Sequence, residues 1–247
     1  EISFSFMDGV NAAQANLKGA NLALVAGATN RQVFSLMGKP EFKRIADLKG
    51  KKIGITRVGS STHTSALFAL ASAGLRTNDY QLLPLLEVPN IYTALAAGQI
   101  DAGVMSPPTN ARAKRSGFVE LMNVAKEGPE FVSVAVGTTR SYIKGNEGIV
   151  RRVVRAYAEG VQLFKNNKPA ALKMIQKQLK VSDPEIQEDT YSQFREYLEY
   201  PPYVSRKGME AVLAELADKE AGAKNLKPED LIDMRFVAEL DKKAGGR

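Results

Sequence analysis

A run of hydroxyl side chains stands where a predicted strand, residues 52–56, turns into a predicted helix. Four hydroxyls and the only histidine of the chain occupy consecutive positions there: Ser60, Ser61, Thr62, His63 and Thr64. A helix that begins near Ser61 leaves its first backbone N–H groups without internal partners, and its dipole is positive at that end. Such a turn can bind a carboxylate, a sulfonate or a phosphate. Because one N-cap needs only one side chain, capping and ligand binding both stay open for this group.

The same residues also suggest a hydrolase as an alternative to ligand binding. Its nucleophile would be Ser60 or Ser61 and its base His63. Its orienting carboxylate would be Asp8 or Asp101. Adjacent serine and histidine side chains at a helix start rarely reach this geometry, and the chain contains no Gly-x-Ser-x-Gly elbow. We therefore favour binding over hydrolysis.

Composition excludes several classes of site and partner. The chain has no cysteine and one histidine. This excludes disulfides, thiolate metal ligands, cysteine nucleophiles and most zinc sites, and we predict neither a metal nor a cofactor. The net charge is +7, but lysine and arginine alternate with aspartate and glutamate instead of forming one basic stripe, which argues against nucleic acid as a partner. No apolar run approaches the roughly 20 residues of a membrane-spanning helix.

The elements that must position the hydroxyl run belong to a repeated pattern. Residues 2–26, beginning at Ile2, resemble residues 100–124: each segment is a strand-like run, a turn, a helix-like stretch and a second apolar strand. Such a repeat predicts two homologous lobes. The second copy is preceded by a strand, helix, strand, helix pattern over residues 52–97 that the first copy lacks. We therefore expect about 50 residues of the first lobe to precede this chain, and self-association through its exposed sheet edges.

The order of predicted elements gives the fold class. Alternating strands and helices between residues 52 and 136 favour mostly parallel sheets covered by helices. The pattern is helical from Asn146 onward, and Asp183 and Ser205 predict two helix starts there. We predict an α/β protein of two lobes, each lobe being a doubly wound, mostly parallel sheet flanked by helices. The predicted boundaries are residues 1–48 for the first part of lobe one, 49–132 for lobe two and 133–247 for the return to lobe one.

Three segments carry a resemblance to a known family: residues 47–54 (DLKGKKIG), 59–63 (GSSTH) and 94–102 (ALAAGQIDA). They resemble solute-binding proteins of ABC importers, of the nitrate/sulfonate/taurine and thiamine-precursor type. The resemblance implies a two-lobed, periplasmic-binding-protein-like fold of the two-crossover class, with a small ligand bound between lobes that close by hinge motion. It also implies an ABC permease as partner and a periplasmic or extracellular location.

The resemblance further implies which residues lie in the ligand cleft. In lobe one they are Met7, Asp8 and Gly9, after the first strand of the first repeat copy. Thr29, Asn30 and Arg31 follow the second strand, and they either face the cleft as well or form an exposed loop. In lobe two they are Ser60, Ser61, Thr62, His63, Ser106 and Pro107. Relatives often carry an acidic residue at the position of Ser106, so no cation site is predicted there. Arg31 would either clamp a carboxylate with its planar guanidinium or form a surface salt bridge.

We predict the solute-binding component of an ABC importer, not an enzyme, with a small anionic organic ligand such as a sulfonate, a carboxylate or a pyrimidine-like molecule. An effector-sensing domain of a transcription regulator is a further alternative, but the sequence shows no helix-turn-helix. Pyrimidine-synthesising enzymes of the same fold use a histidine-rich iron site, which one histidine cannot supply.

Overall fold

The computed structural model describes residues 3–245, with side chains as far as Lys242. Ile2, where the predicted first strand begins, lies outside the described residues. The strands are β1 (Ser5–Met7), β2 (Leu22–Thr29), β3 (Ser35–Gly38), β4 (Lys52–Ile55), β5 (Gln81–Pro84), β6 (Ala102–Met105), β7 (Val119–Asn123) and β8 (Val134–Thr139). The helices are α1 (Gly9–Leu17), α2 (Ser61–Ser72), α3 (Val88–Ala96), α4 (Thr109–Arg115), α5 (Val124–Glu127), α6 (Arg140–Asn166), α7 (Lys168–Leu179), α8 (Pro184–Tyr197), α9 (Arg206–Ala217), α10 (Pro228–Leu231) and α11 (Arg235–Gly245).

The chain divides into two compact units. Unit 1 comprises Glu1–Arg31, Pro129–Ala170 and Tyr197–Arg247, and unit 2 comprises Gln32–Gly128 and Ala171–Glu196. The first limit differs from the predicted boundary at residue 48 because β3 pairs with β6 and β7, which brings residues 32–48 into unit 2. The predicted return segment 133–247 is also interrupted. Its α8 joins unit 2, where Asp183 pairs with Arg115 of α4 at 3.4 Å.

The sheet of unit 1 has the strand order β1-β8-β2. β8 runs antiparallel to both neighbours, with Phe6 opposite Val136 and Leu24 opposite Gly137. The prediction of a mostly parallel sheet is therefore wrong for the described strands of unit 1. β1 and β2 do run in the same direction, as their connection through α1 predicts, but β8 lies between them.

The sheet of unit 2 has the strand order β5-β4-β6-β3-β7. β5, β4 and β6 are parallel, as predicted, whereas β3 is antiparallel to both β6 and β7. The two sheets therefore share one arrangement, in which a strand, helix and strand enclose an antiparallel strand. β1-α1-β2 encloses β8, and β6-α4-β7 encloses β3, which confirms the predicted repeat.

Each unit has its own apolar core. In unit 1 the buried stripe of α9 contains Met209, Val212, Leu213 and Leu216, as predicted, and packs against α1 and β8. Ser205 caps α9 by accepting the N–H of Gly208 at 2.9 Å, which confirms the predicted helix start. In unit 2 apolar side chains of β4, β6 and α2 pack together: Ile53, Ile55, Ala66, Leu70 and Val104. Within residues 3–245, no helix has both the length and the apolar character needed to cross a membrane.

Candidate functional site

The carboxyl ends of parallel strands bring several predicted site residues of unit 2 to one sheet edge. β4 and β6 are parallel, so the residues that follow them lie at the same edge. These are the turn from Thr56 to His63 after β4, and Ser106 with Pro107 after β6. β5 is parallel to β4 and ends at this edge as well. The structure thus places the predicted residues Ser60–His63 and Ser106–Pro107 along one side of the unit 2 sheet.

Hydroxyl groups in the turn before α2 mostly bind one another. Thr62 is buried, and its Oγ1 accepts the backbone N–H of Thr56 at 2.9 Å. The same atom lies 2.8 Å from the hydroxyl of Thr56 and 2.9 Å from that of Ser60. Ser60 also caps α2, with its Oγ 3.4 Å from the N–H of His63. The side chains of Thr62 and Ser60 therefore fix the conformation of the turn. Their hydroxyl groups are used mainly for these internal hydrogen bonds.

Ser61 is the hydroxyl that stays available at the start of α2. Its side chain is half-buried and makes no hydrogen bond to any residue in the described range. The backbone N–H groups of Ser61 and Thr62 likewise have no acceptor within residues 3–245. The orientation of the His63 ring is fixed by a hydrogen bond, because its Nδ1 accepts the N–H of Gly59 at 3.1 Å. The turn therefore offers two backbone donors and one hydroxyl at the positive end of a helix, a geometry suited to an anion.

Three residues at this edge were missed by sequence reasoning. Arg57 is exposed and has no ion pair with any described residue, so its charge is available beside the helix start. Val58 and Leu86 are exposed apolar side chains, with 73% and 70% of their surface accessible. Leu86 lies close because its N–H donates to the carbonyl of Thr56 at 2.9 Å. No sequence pattern singles out Leu86, since its proximity comes from the parallel pairing of β5 with β4.

Ser106 begins the second polar segment at the unit 2 edge. Its carbonyl oxygen accepts the N–H groups of Thr109 and Asn110, at 2.9 and 3.1 Å, and so begins α4. The buried Asn110 side chain donates to Ser35 Oγ at 3.2 Å and to Gln193 Oε1 at 2.8 Å. These bonds tie the loop of Ser106 and Pro107 to β3 and α8. The positions of both residues are therefore fixed by a buried polar network.

The predicted residues of unit 1 also share an edge, since β1 and β2 run in the same direction. Met7, Asp8 and Gly9 follow β1, and Asn30 and Arg31 follow β2. Asp8 is the N-cap of α1: one carboxylate oxygen accepts the N–H of Asn11 at 2.7 Å, and the other accepts its side-chain amide at 2.6 Å. Gly9 donates its N–H to the carbonyl of Val132 at 2.9 Å. The polar groups of Asp8 and Gly9 are thus occupied within unit 1.

The buried side chain of Asn30 is fully engaged. Its Nδ2 donates to the carbonyl of Tyr203 at 2.8 Å, and its Oδ1 accepts the N–H of Ser205 at 2.9 Å. This amide therefore pins the segment before α9 to the end of β2. Arg31 follows on the surface and is exposed. Of these two predicted site residues, Asn30 uses its side chain for hydrogen bonds within unit 1, whereas the Arg31 side chain is exposed at the surface.

Glu199 is a titratable group at the unit 1 edge that the sequence did not reveal. Burial raises the pKa of its carboxyl above the usual value, and hydrogen bonds from Asn30 with the charges of Lys165 and Arg31 offset only part of that rise. Burial also raises the pKa of the Tyr157 hydroxyl, with a further contribution from the nearby Glu199 charge. The Tyr157 hydroxyl is buried without a hydrogen-bond partner among the described residues, and the Glu199 side chain is half-buried.

The geometry does not support the hydrolase alternative that uses Ser60 with Asp101. Ser60 Oγ donates to the carbonyl of Arg57 at 2.7 Å, and His63 Nδ1 already accepts the N–H of Gly59. Asp101 precedes β6 and lies at the opposite edge of the sheet, where it pairs with Lys39 at 2.7 Å. Although burial of Asp101 acts to raise its pKa, hydrogen bonds and charge from Lys39 lower it overall, as expected of a structural ion pair. Asp101 therefore cannot orient His63.

Comparison with known proteins finds relatives that share this architecture. The family model described as NMT1/THI5 like matches residues 1–171. A protein of Escherichia coli (strain K12), named as an aliphatic sulfonates-binding protein, is 25% identical over 191 residues, which cover 77% of this chain and 56% of that protein. The chain thus spans about half the length of the curated relatives it matches.

Solved structures match over most of the chain. One of them is the alkanesulfonate-binding protein SsuA of Xanthomonas axonopodis pv. citri, bound to MOPS, with a TM-score of 0.72 at 23% identity. The match covers 90% of this chain and 76% of the SsuA chain. The desulfurization enzyme DSZB has a TM-score of 0.77 at 14% identity, and the match covers 98% of this chain and 85% of the DSZB chain. These likenesses confirm the predicted α/β, periplasmic-binding-protein-like fold. They also show that binding proteins and an enzyme share it.

Proposed function

Because the chain belongs to the NMT1/THI5-like family, we propose that it is the solute-binding component of an ABC importer. It works in the periplasm with a membrane permease, as the family resemblance and the periplasmic SsuA proteins of the same fold suggest. Its ligand is a small organic anion, and a sulfonate is the first candidate because a curated relative is named for aliphatic sulfonates.

The observation that carries this proposal is the start of α2. The N–H groups of Ser61 and Thr62 and the hydroxyl of Ser61 have no partner in the described chain, and Ser60 and Thr62 hold them in place. Arg57 supplies a positive charge on the same turn. A sulfonate or carboxylate, with oxygens that accept several hydrogen bonds, satisfies all of these donors at once.

The ligand also has an aliphatic part. Val58 and Leu86 expose apolar surface beside the donors of α2, and two such side chains at one sheet edge favour a ligand with a short apolar tail. Inorganic anions have no such tail, so the apolar surface of Val58 and Leu86 would stay exposed to water when they bind. We therefore expect alkanesulfonates to bind more tightly than sulfate.

We propose binding without catalysis. The serine, histidine and aspartate side chains that a hydrolase needs do not meet in unit 2, since Asp101 lies at the far edge and Ser60 donates to Arg57. The chain has no cysteine to serve as an alternative nucleophile. Self-association stays a prediction, with β1 and β2 as the two edge strands of the unit 1 sheet among the described residues.

Isothermal titration calorimetry on the full-length gene product tests the proposal. The panel contains pentanesulfonate, pentanoate, pentanol, sulfate and a pyrimidine, so that head and tail vary separately. We expect the sulfonate to bind and both pentanol and sulfate to bind at least about tenfold more weakly, because each lacks one half of the recognised group. Binding of pentanol as tight as that of the sulfonate would refute anion recognition. Binding of no anion in the panel would refute the proposed ligand class.

A further inference from the structure

Gln32 precedes β3, and the fold brings it to the edge of unit 2 where the proposed ligand site lies. Because Ser35 stands opposite Met105 in the antiparallel pair of β3 and β6, the chain before Ser35 runs past the carboxyl end of β6. The turn before α2 follows β4 at this same edge, and β6 stands between β3 and β4 in the sheet. Gln32 therefore lies within reach of α2.

The side chain of Gln32 contacts α2 directly. It is buried, with 6% of its surface accessible, and its Oε1 accepts the hydroxyl of Ser65, which is fully buried in α2. Ser65 comes four residues after Ser61, so the two serines share one face of the helix, with about 5–6 Å between their Cβ atoms. Helical side chains lean toward the N-terminus of their helix, which brings the Ser65 hydroxyl closer to Ser61. The Gln32 amide is thereby held beside the serine whose hydroxyl is available for a ligand.

The unpartnered end of the Gln32 amide is a hydrogen-bond donor. Ser65 donates to Oε1, and the N–H groups of Nε2 have no acceptor in the part of the chain that the structure describes. This nitrogen keeps access to solvent, in contrast to the unpartnered Nε2 of Gln193, which is fully enclosed. Buried side chains in proteins nearly always have their polar atoms hydrogen-bonded, so an accessible donor on a side chain held in this way favours an acceptor from outside the fold.

We propose that the Gln32 amide donates to an oxygen of the bound sulfonate and that Ser65 positions the amide for this contact. The proposal rests on the proposed function, in which the start of α2 holds the ligand. The N–H groups of Ser61 and Thr62 meet the anion along the axis of α2, whereas Gln32 meets it from the flank of the helix. A sulfonate has three oxygens arranged as a pyramid and can accept from both directions, whereas the two oxygens of a carboxylate lie in one plane. Gln32 is thus a specificity-determining residue that favours sulfonates over carboxylates.

Four substitutions separate ligand contact from stability. Gln32→Met keeps an unbranched side chain of similar size and removes the amide. Gln32→Glu is isosteric and still accepts from Ser65, so it removes the donors while keeping the contact with α2. Ser65→Ala leaves the amide in place and removes the hydroxyl that orients it. Gln81→Met is the matched control, because Gln81 is exposed at the start of β5, at the opposite edge of the same sheet.

The experiment measures, by calorimetry, the affinity of each full-length protein for pentanesulfonate and for pentanoate. We expect Gln32→Met to weaken sulfonate binding at least about tenfold and pentanoate binding less than about threefold, because the lost hydrogen bond is made to the additional oxygen of the sulfonate. Gln32→Glu should weaken sulfonate binding at least as much. Ser65→Ala should lower the ratio of sulfonate to pentanoate affinity in the same direction. The double variant Gln32→Met/Ser65→Ala should bind the sulfonate no more weakly than Gln32→Met alone, because Ser65 acts through the amide. Gln81→Met should leave both affinities within about twofold of wild type.

Different outcomes identify different errors. If wild type binds pentanesulfonate and the two Gln32 variants bind it equally well, the amide is not a ligand contact, while the proposed function stands. Equal losses of sulfonate and pentanoate binding in Gln32→Met would show that the substitution only disturbs the turn, and they would also overturn the proposal. Additive losses in the double variant would contradict positioning by Ser65. If wild type binds neither ligand, the proposed ligand class is wrong, and this role of Gln32 is wrong with it.

Discussion

Thr62 and Ser61 are adjacent hydroxyl residues for which the structure predicts opposite effects of substitution. Thr62 Oγ1 is buried and holds the N–H of Thr56 and two hydroxyls, whereas Ser61 Oγ has no partner among the described residues. Thr62→Val keeps the shape of the side chain and removes only its hydrogen bonds. Ser61→Ala removes a hydroxyl that the fold does not use. We therefore expect the first change to affect stability and the second to affect ligand affinity.

The size of the stability effect follows from the N–H of Thr56. Once Thr62 is replaced by valine, this donor and the hydroxyl of Ser60 lose a buried partner. An unsatisfied buried group of this kind costs about 1–3 kcal/mol of the free energy of unfolding. For a chain of this length each kcal/mol lowers the melting temperature by about 2–4 °C. We expect Thr62→Val to lower the melting temperature by roughly 2–12 °C and to change pentanesulfonate affinity only slightly.

The size of the affinity effect follows from the charge of the ligand. A hydrogen bond from Ser61 to an anionic oxygen contributes about 1.5–3 kcal/mol, which corresponds to a loss of roughly 10- to 100-fold in affinity when it is removed. The free energy of unfolding should change by less than about 0.5 kcal/mol. Ser72→Ala is the matched control, because Ser72 is an exposed serine at the other end of α2. It should change neither quantity.

Differential scanning fluorimetry and calorimetry on the same preparations give both values. Ser61→Ala with a lowered melting temperature and unchanged affinity would refute the assignment of Ser61 to the ligand. Thr62→Val with unchanged stability and lost affinity would refute the structural role of Thr62. Either result would mean that the donors at the start of α2 are arranged differently when the ligand binds.

Two further predictions concern unit 1. Asn30→Ala leaves the carbonyl of Tyr203 and the N–H of Ser205 without the amide, so urea unfolding should show a loss of about 2–4 kcal/mol; an unchanged midpoint would contradict this. Glu199→Gln removes a carboxyl whose pKa is raised by burial above 4.5, so ionisation costs stability in the fold. Wild type should lose stability relative to Glu199→Gln as pH rises through that raised pKa, and a constant difference in melting temperature from about pH 4 to pH 8 would show that the carboxyl is well solvated.

Local sequence signals predicted the elements around the site well. The hydroxyl run placed the start of α2, and Ser60 caps it, because capping depends on residues within one turn. Asp183 begins α8 in the same way, since its Oδ1 accepts the N–H of Glu185 at 2.9 Å. The strand, helix, strand repeat was visible because each copy is continuous in sequence. These features are determined by neighbours a few residues apart.

The sequence did not predict which site residues hold the turn in place and which keep polar groups available for a ligand. Nothing in the pattern shows that the hydroxyl of Thr62 turns back to Thr56 while that of Ser61 stays available. Leu86 lies at this edge because β5 pairs with β4, and Glu199 lies beside β2 because its N–H donates to the carbonyl of Ala28. Both contacts join residues far apart in the sequence, so local patterns do not predict them. The sequence therefore predicted the position of the turn before α2, but not the different hydrogen bonding of its side chains.

β3 explains the misplaced boundary at residue 48, whereas the predicted return to lobe one at residue 133 places β8 correctly in unit 1, which resumes at Pro129. β3 follows β2 along the chain but lies between β6 and β7, and β8 follows β7 but lies between β1 and β2. With one strand inserted, the two parallel strands of each copy stand roughly 9–10 Å apart, too far to bond directly. Neither copy can therefore complete its sheet from its own residues, and the predicted boundary at residue 48 separates β3 from its partners β6 and β7. Because Leu24 pairs with Gly137 across the whole of the intervening segment, the sheet of unit 1 closes only after parts of the chain that are distant in sequence have met.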